Sequence, residues 1–154
     1  KSLFSFSNEL IWWYGISLIF ATICGALWGW SGVAYFFAQS FVAFTLLEVI
    51  NYIEHYGLHR RKLENGRYER TNVEHSWNSN YLLTNLFLFQ LQRHSDHHAN
   101  PKRRYQVLRH HEVSPQLPSG YATMVVLALF PPLWFKIMNP KVEAYYQGEE
   151  HQLK

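Results

Sequence analysis

Hydrophobic and polar positions divide the chain into two contrasting parts. Residues 10–27 (LIWWYGISLIFATICGAL) form an uncharged apolar run of membrane-spanning length. Trp12, Trp13 and Tyr14 at one end and Trp28 and Trp30 at the other place aromatic rings where bilayer interfaces would lie. WGWSG, residues 28–32, reads as a tight turn. From Val33 to about His59 the pattern predicts one long helix. Its first part, VAYFFAQSFVAFTLL, is apolar all round, and a polar stripe of Glu48, Asn51, Tyr52, His55 and His59 follows. Spacings of three and four put that stripe on one helical face, and in a membrane helix such residues mark an interior or a functional cavity. A helix this long exceeds the hydrocarbon core by several turns, so its C-terminal end is expected to emerge. The alternative for residues 10–27 is the core helix of a soluble protein.

The remaining pattern is shorter-ranged. Residues 60–74 are dense in charge and carry an Asn65–Gly66 turn signal, which predicts a small β-hairpin or loop. Ser79 or Asn80 is a candidate cap for a helix running through LLTNLFLFQLQRHSDHH. On that helix Leu82, Leu83, Leu86, Phe87 and Leu91 share a half-circle with His94, His97 and His98, so the histidines are expected to face the core. Asn100–Pro101 should end it. SPQLPSG, residues 114–120, is a connector, and residues 121–130 are apolar but too short to span, which predicts a packed or interfacial helix. From Asn139 the chain turns polar and acidic, with Glu143, Glu149 and Glu150, and is expected to be partly disordered. Ser7 or Asn8 is a candidate cap ahead of Glu9.

Composition sharpens this division. The chain has 154 residues, one domain's worth, with 48% hydrophobic, 18% aromatic and 16% charged residues. No Asp, Glu, Lys or Arg occurs between Leu10 and Leu47. The mean hydropathy of −0.20 therefore averages a membrane-like part with a polar one. The expected fold class is an all-α integral membrane helical bundle fragment, with two transmembrane helices and a cytoplasmic histidine-bearing cap. Residues 1–60 would be the transmembrane hairpin, and residues 61–154 the cap and C-terminal tail. The net charge of +3 does not single out nucleic acid as a partner, because Arg60, Arg61 and Lys62 beside a membrane helix more simply mark its cytoplasmic end. The single cysteine, Cys24, excludes an internal disulfide framework and a cysteine-based metal cluster. The chain opens on Lys1 with no signal-peptide pattern, and it is expected to start partway through a longer protein.

The chemistry-bearing stretch is LQRHSDHH, residues 91–98. On a helix, His97 and His98 follow His94 by three and four residues and project from the same side. Neutral imidazoles suit iron, copper, zinc or nickel. Asp96 points elsewhere on the wheel and is a better acceptor for a ring N–H than a ligand. His55, on the polar stripe, is a fourth candidate. His59 is more simply an exposed residue beside Arg60. His75 either approaches the site or caps a helix. His110 and His111 belong to a basic loop, and His151 to the tail. No H-E-x-x-H helix, phosphate loop, nucleotide fingerprint or G-x-S-x-G elbow is present.

NYIEHYGL (residues 51–58) and LQRHSDHHANPKRRYQ (residues 91–106) resemble segments of the membrane-bound alkane 1-monooxygenases, the alkane hydroxylase family. SPQLPSGY (residues 114–121) resembles the family as well. The likeness spans essentially the whole chain but only the C-terminal part of a family member. It implies a bundle of six transmembrane helices with a cytoplasmic cap in the bacterial inner membrane, and two non-haem iron ions held by histidines. It implies His55 of the HYG motif and His94, His97 and His98 of the third histidine box as ligands. His59, His75, His110 and His111 match no ligand position. Glu54 lies in the HYG motif, but the helical wheel sets it away from His55, leaving at most a role outside the ligand set. The implied reaction is terminal hydroxylation of medium-chain alkanes with O₂ and electrons from rubredoxin. Rubredoxins are acidic, so Lys102, Arg103, Arg104 and Arg109 are docking candidates; headgroup contact or helix-end stabilisation is the alternative. Phe36, Phe37, Phe41 and Phe44 are candidates for lining an apolar cavity, with packing as the alternative.

The family's first two histidine boxes, of the forms H-E-x-x-H-K and E-H-x-x-G-H-H, are missing from these residues. They are expected in an N-terminal remainder, without which the chain should be inactive. Two rivals are a related membrane di-iron desaturase, hydroxylase or xylene-type monooxygenase, and a non-catalytic membrane module handling zinc or copper.

Overall fold

The computed structural model describes residue 5 and residues 7–146. The regular elements among these residues are all helical: α1 (Glu9–His55), α2 (Leu82–Phe87), α3 (His94–Ala99), α4 (Tyr121–Ala128) and α5 (Pro131–Tyr146), plus one 3₁₀ turn (Tyr105–Val107), joined by irregular segments. Only two isolated β-bridges interrupt the pattern among them. Contacts group the chain into two compact units, residues 1–47 and 48–154. Tail residues Glu149, Glu150 and His151 lie outside the described residues.

In the first unit α1 begins after Asn8, whose side-chain oxygen accepts the Leu10 N–H at 3.2 Å, an N-cap bond. α1 is the described helix long and apolar enough to cross a membrane. Its one non-helical residue is Gly29 (φ 64°, ψ −151°), inside the expected turn. There the chain folds back on itself. A Cβ added to Gly32 would lie 2.2 Å from the Cys24 carbonyl oxygen, and one on Gly25 would lie 3.0 Å from a Val33 methyl. Residues eight apart along an unbroken helix are about 12 Å apart. Ala21 is buried beside these glycines, and small residues are what permit backbones to approach so closely. Most of the large apolar side chains here, including Trp12, Trp13, Leu18, Phe37, Phe41 and Phe44, are exposed in this structure.

The second unit is built around a core of Ile53, Trp77, Leu117, Tyr121, Met124, Trp134 and Met138. α4 is a packed helix, as its short apolar run predicts, burying Tyr121 and Met124. Where a partly disordered tail is expected from Asn139, the chain stays helical to Tyr146; the rest of that expectation lies outside the described residues. The first two residues of α5 are prolines, which suit a first helical turn because their missing N–H groups have no helical partner there. Trp134, Met138 and Val142 recur every four residues and face the core, a periodicity hidden by the polar residues between them.

α1 ends at His55 rather than near His59. Gly57 follows at φ +69°, and a Cβ there would meet a Val142 methyl at 2.7 Å. Gly57→Ala thus combines a left-handed backbone, costing about 1–2 kcal/mol, with an overlap. Thermal unfolding of the purified protein should register a loss of at least that size, and an unchanged midpoint would refute the close approach. Residues 60–74 form a tight reversal rather than a full hairpin: one antiparallel bridge joins Lys62 and Tyr68, and Gly66 sits at φ +76°.

The expected single helix through residues 82–98 is not formed. α2 stops at Phe87, and Phe89 and Gln90 take left-handed φ values of 50° and 61° before α3 begins at His94. Leu82, Leu83, Leu86 and Phe87 are consequently exposed rather than aligned with the histidines over the core. Of the polar stripe, His55 and His59 line one cavity. Glu48, Asn51 and His59 are exposed, whereas Ile53 and Glu54 are the buried residues of this turn.

Candidate metal centre

The buried segment 76–79 holds the end of α1 near α3. The Trp77 backbone N–H donates to the Glu54 carbonyl (2.8 Å), Asn78 N–H to the Pro115 carbonyl (2.8 Å), and Ser79 N–H to the Gln92 carbonyl (3.1 Å). A segment this buried must pair its backbone groups, and here it does so with three different neighbours. The Asn78 side chain continues the clamp: its oxygen accepts the Ser95 N–H at 3.1 Å, and its amide donates to Ser95 Oγ. Six residues are too few for a helix to persist alone, so α3 depends on such contacts.

This arrangement brings His55 from α1 together with His94 and His98 from α3. One ligand-capable nitrogen from each lies within 4.8 Å of the others. Nitrogens sharing one ion at about 2.0–2.1 Å span about 4 Å at most, so small ring rotations would close the set. The His94 and His98 Nε2 atoms are 2.7 Å apart. The His55 Nδ1 lies 3.2 Å from the His75 carbonyl; donating there leaves Nε2 as the free lone pair, the usual arrangement for a metal-binding imidazole. Burial, then the neighbouring His98, His55 and His97, push the His94 pKa down to about 3. Burial, then His55 and His97, lower that of His98. Both rings are therefore neutral donors at pH 7. Converging neutral imidazoles fit a transition-metal ion. His94 Nδ1 is buried without a hydrogen-bond partner.

Glu54 stands closer to this trio than the helical wheel suggests. It is 1% exposed, its Oε2 is 3.2 Å from His94 Nε2, and its Oε1 accepts the Tyr121 hydroxyl at 2.7 Å. The wheel relates Glu54 only to His55 on its own helix; the contact with His94 comes from another element. Tyr121 was not legible as part of the site, because a tyrosine opening an apolar helix carries no ligand signature.

His97 lies outside the trio. Its ring centroid is 5.9 Å from that of His94 and 6.0 Å from that of His98. It lines an apolar cavity of about 610 Å³ with Leu88, Phe89, Leu91, His94, Tyr105 and Leu108. A more polar cavity of about 470 Å³ borders His55 and His98 and is also lined by His59, Arg60 and His75. The His75 ring accepts the Asn72 N–H and pairs with Glu69 at 2.9 Å, so its side chain is engaged away from the trio.

Asp96 accepts a ring N–H, as its wheel position suggests, but from His111 (3.0 Å) rather than from a neighbour in its own helix. It also takes both bonds from Arg103 and the Arg109 backbone N–H at 2.9 Å. Burial would raise its pKa, but His111, the Arg109 N–H and Arg103 together hold the carboxyl well below its ordinary value. Arg103 is thus turned inward, while the Lys102, Arg104 and Arg109 residues stay exposed.

The fatty acid desaturase sequence model matches residues 2–128, and the chain belongs to that family. Over 146 residues, 95% of the chain, it is 70% identical to alkane 1-monooxygenase 2 of Pseudomonas aeruginosa. It is 42% identical over 154 residues to alkane 1-monooxygenase of Ectopseudomonas oleovorans. It is 31% identical over 111 residues, 71% of the chain, to the xylene/toluene monooxygenase hydroxylase component of Pseudomonas putida. The chain spans 39%, 38% and 28% of these relatives, respectively. Family and histidine trio together imply non-haem iron.

Proposed function

We propose that this chain is the C-terminal, iron-binding part of a membrane monooxygenase that hydroxylates the terminal carbon of medium-chain alkanes. The observation that carries this reading is the convergence of His55, His94 and His98, in a chain 70% identical to an alkane 1-monooxygenase. The lower identity to the xylene/toluene relative makes aryl-methyl oxidation the second choice.

In this reading His55, His94, His97 and His98 are ligands to a centre of two irons, whose other ligands come from the preceding part of the enzyme. His97 would then serve the second iron, since it stands apart from the trio. Iron supplies the activation of O₂; the protein supplies orientation and dryness. His55 is oriented by the His75 carbonyl, and Glu54 and Tyr121 bound the buried side of His94. The cavity along Leu88, Phe89, Leu91 and Leu108 offers an apolar, water-poor surface beside His94 and His97. Residues 1–60 would form two transmembrane passes turning at Gly29, and residues 61–154 a cap on the cytoplasmic side, marked by Arg60, Arg61 and Lys62. Rubredoxin would dock on Lys102, Arg104 and Arg109, with Arg103 contributing field rather than direct contact.

Elemental analysis of the complete purified protein and its His55→Ala variant tests this. Iron is expected in the parent protein, with a loss in the variant. Zinc or copper in place of iron under metal-replete expression would overturn the oxygenase reading.

A further inference from the structure

Asp96 is fully buried between two metal-site histidines in sequence, yet none of its side-chain bonds goes to them. Its oxygens accept Arg103 Nη1 (2.5 and 2.6 Å), the Arg109 backbone N–H (2.9 Å), His111 Nε2 (3.0 Å) and Asn100 Nδ2 (3.1 Å). All four donors lie beyond α3, in the segment 100–111. That segment also supplies Tyr105 and Leu108 to the wall of the apolar cavity, whose other side includes His94 and His97. Among the described residues the Arg103 guanidinium bonds Asp96 alone, whereas the Arg93 guanidinium ties Gln90 to the Leu108 carbonyl (2.7 and 2.6 Å). The carboxylate thus joins two bodies: the six-residue helix that carries the imidazoles, and the loop that walls the cavity beside them.

We propose that Asp96 is a positioning residue, holding α3 at the rotation that lets His94 and His98 meet His55, through its charge-assisted bonds to Arg103 and His111. The inference rests on the metal-site reading but not on the reaction. A buried carboxylate that served stability alone would leave metal affinity unchanged once the protein is folded. A positioning carboxylate makes affinity depend on the pair. Asn78 and Ser114 hold Ser95 and Glu54 touches His94, while the Asp96 bonds fasten the adjoining face of the same helix to the segment 100–111, so rotation of α3 about its own axis is what they restrain. Because Asp96 is buried within the described residues, the preceding part of the enzyme has no need to supply its partners.

The test uses the complete protein, with Zn²⁺ and Fe²⁺ affinities read by chelator competition and the fold checked by circular dichroism. Asp96→Asn turns an acceptor into a donor facing Arg103, and Arg103→Gln removes the cation from the surface side. Each is expected to weaken both metals about 10–100-fold, the usual cost of losing a partner that orients a ligand. The double variant should be little worse than either single one, because both remove one interaction. Should Asp96→Asn fail to fold, Arg103→Gln alone decides, since the Arg103 side chain is partly exposed and Asn100, the Arg109 N–H and His111 still bond the Asp96 carboxylate. Unchanged affinity in folded variants, or losses that simply add, would overturn the proposal. A parent protein that binds Zn²⁺ but takes up no iron would refute the oxygenase reading, and the Zn²⁺ comparison would still decide the role of Asp96.

Discussion

Replacing His94 with alanine is expected to strip the metal from the trio and abolish turnover in the complete enzyme. His94 is the inner member of the set: its Nε2 lies 2.7 Å from that of His98 and 3.2 Å from Glu54. Its neutrality at working pH keeps a lone pair available, so removal deletes a donor that needs no proton loss to bind. The change also leaves Glu54 facing a void where an imidazole stood. Metal affinity should fall by more than the roughly 100-fold that losing an outer partner costs. Chelator competition measures it, and O₂-dependent product formation should disappear in parallel. A variant that kept the parent affinity would place the ion elsewhere.

Trp134→Ala is expected to produce the largest loss of stability. The indole is fully buried, with ring centroids of Tyr52 and Tyr56 each 5.3 Å away. Truncating a buried tryptophan costs about 3–5 kcal/mol, part lost burial and part residual cavity. Ile53 shares this core and directly precedes Glu54, so the damage should reach the buried side of the site. Thermal unfolding in detergent reads the loss; a cost below about 1 kcal/mol, typical of surface positions, would contradict the packing described.

Some of this was legible in the sequence. Residue spacing singled out His94 and His98 as neighbours because their relation is local, one helical turn. Residues 28–32 announced a turn through their glycines, and the reversal falls at Gly29. What failed was continuity. Nothing in FLFQLQ marks Phe89 and Gln90 as left-handed residues, since neither is glycine or asparagine, and the helical wheel drawn across them has no physical counterpart. The same wheel relates Glu54 only to its own helix and cannot show its decisive neighbours, His94 and Tyr121, which lie far away in sequence. α5 escaped notice because Asn139, Lys141 and Glu143 alternate with the core-facing Met138 and Val142, and composition averages the two. Tertiary pairing also reassigned Arg103 from a surface cation to the partner of Asp96.

The brevity of α3 has a consequence for how its motif is understood. HSDHHA is a recognisable string, but its shape is borrowed: Asn78 fastens Ser95, and donors from residues 100–111 fasten Asp96 on the adjoining face. Transplanted into an unrelated scaffold, or made as a short peptide, the string would keep its imidazoles and lose the angles between them. The motif is a signature without portability, and any attempt to graft this chemistry must carry the anchoring loops along with the histidines.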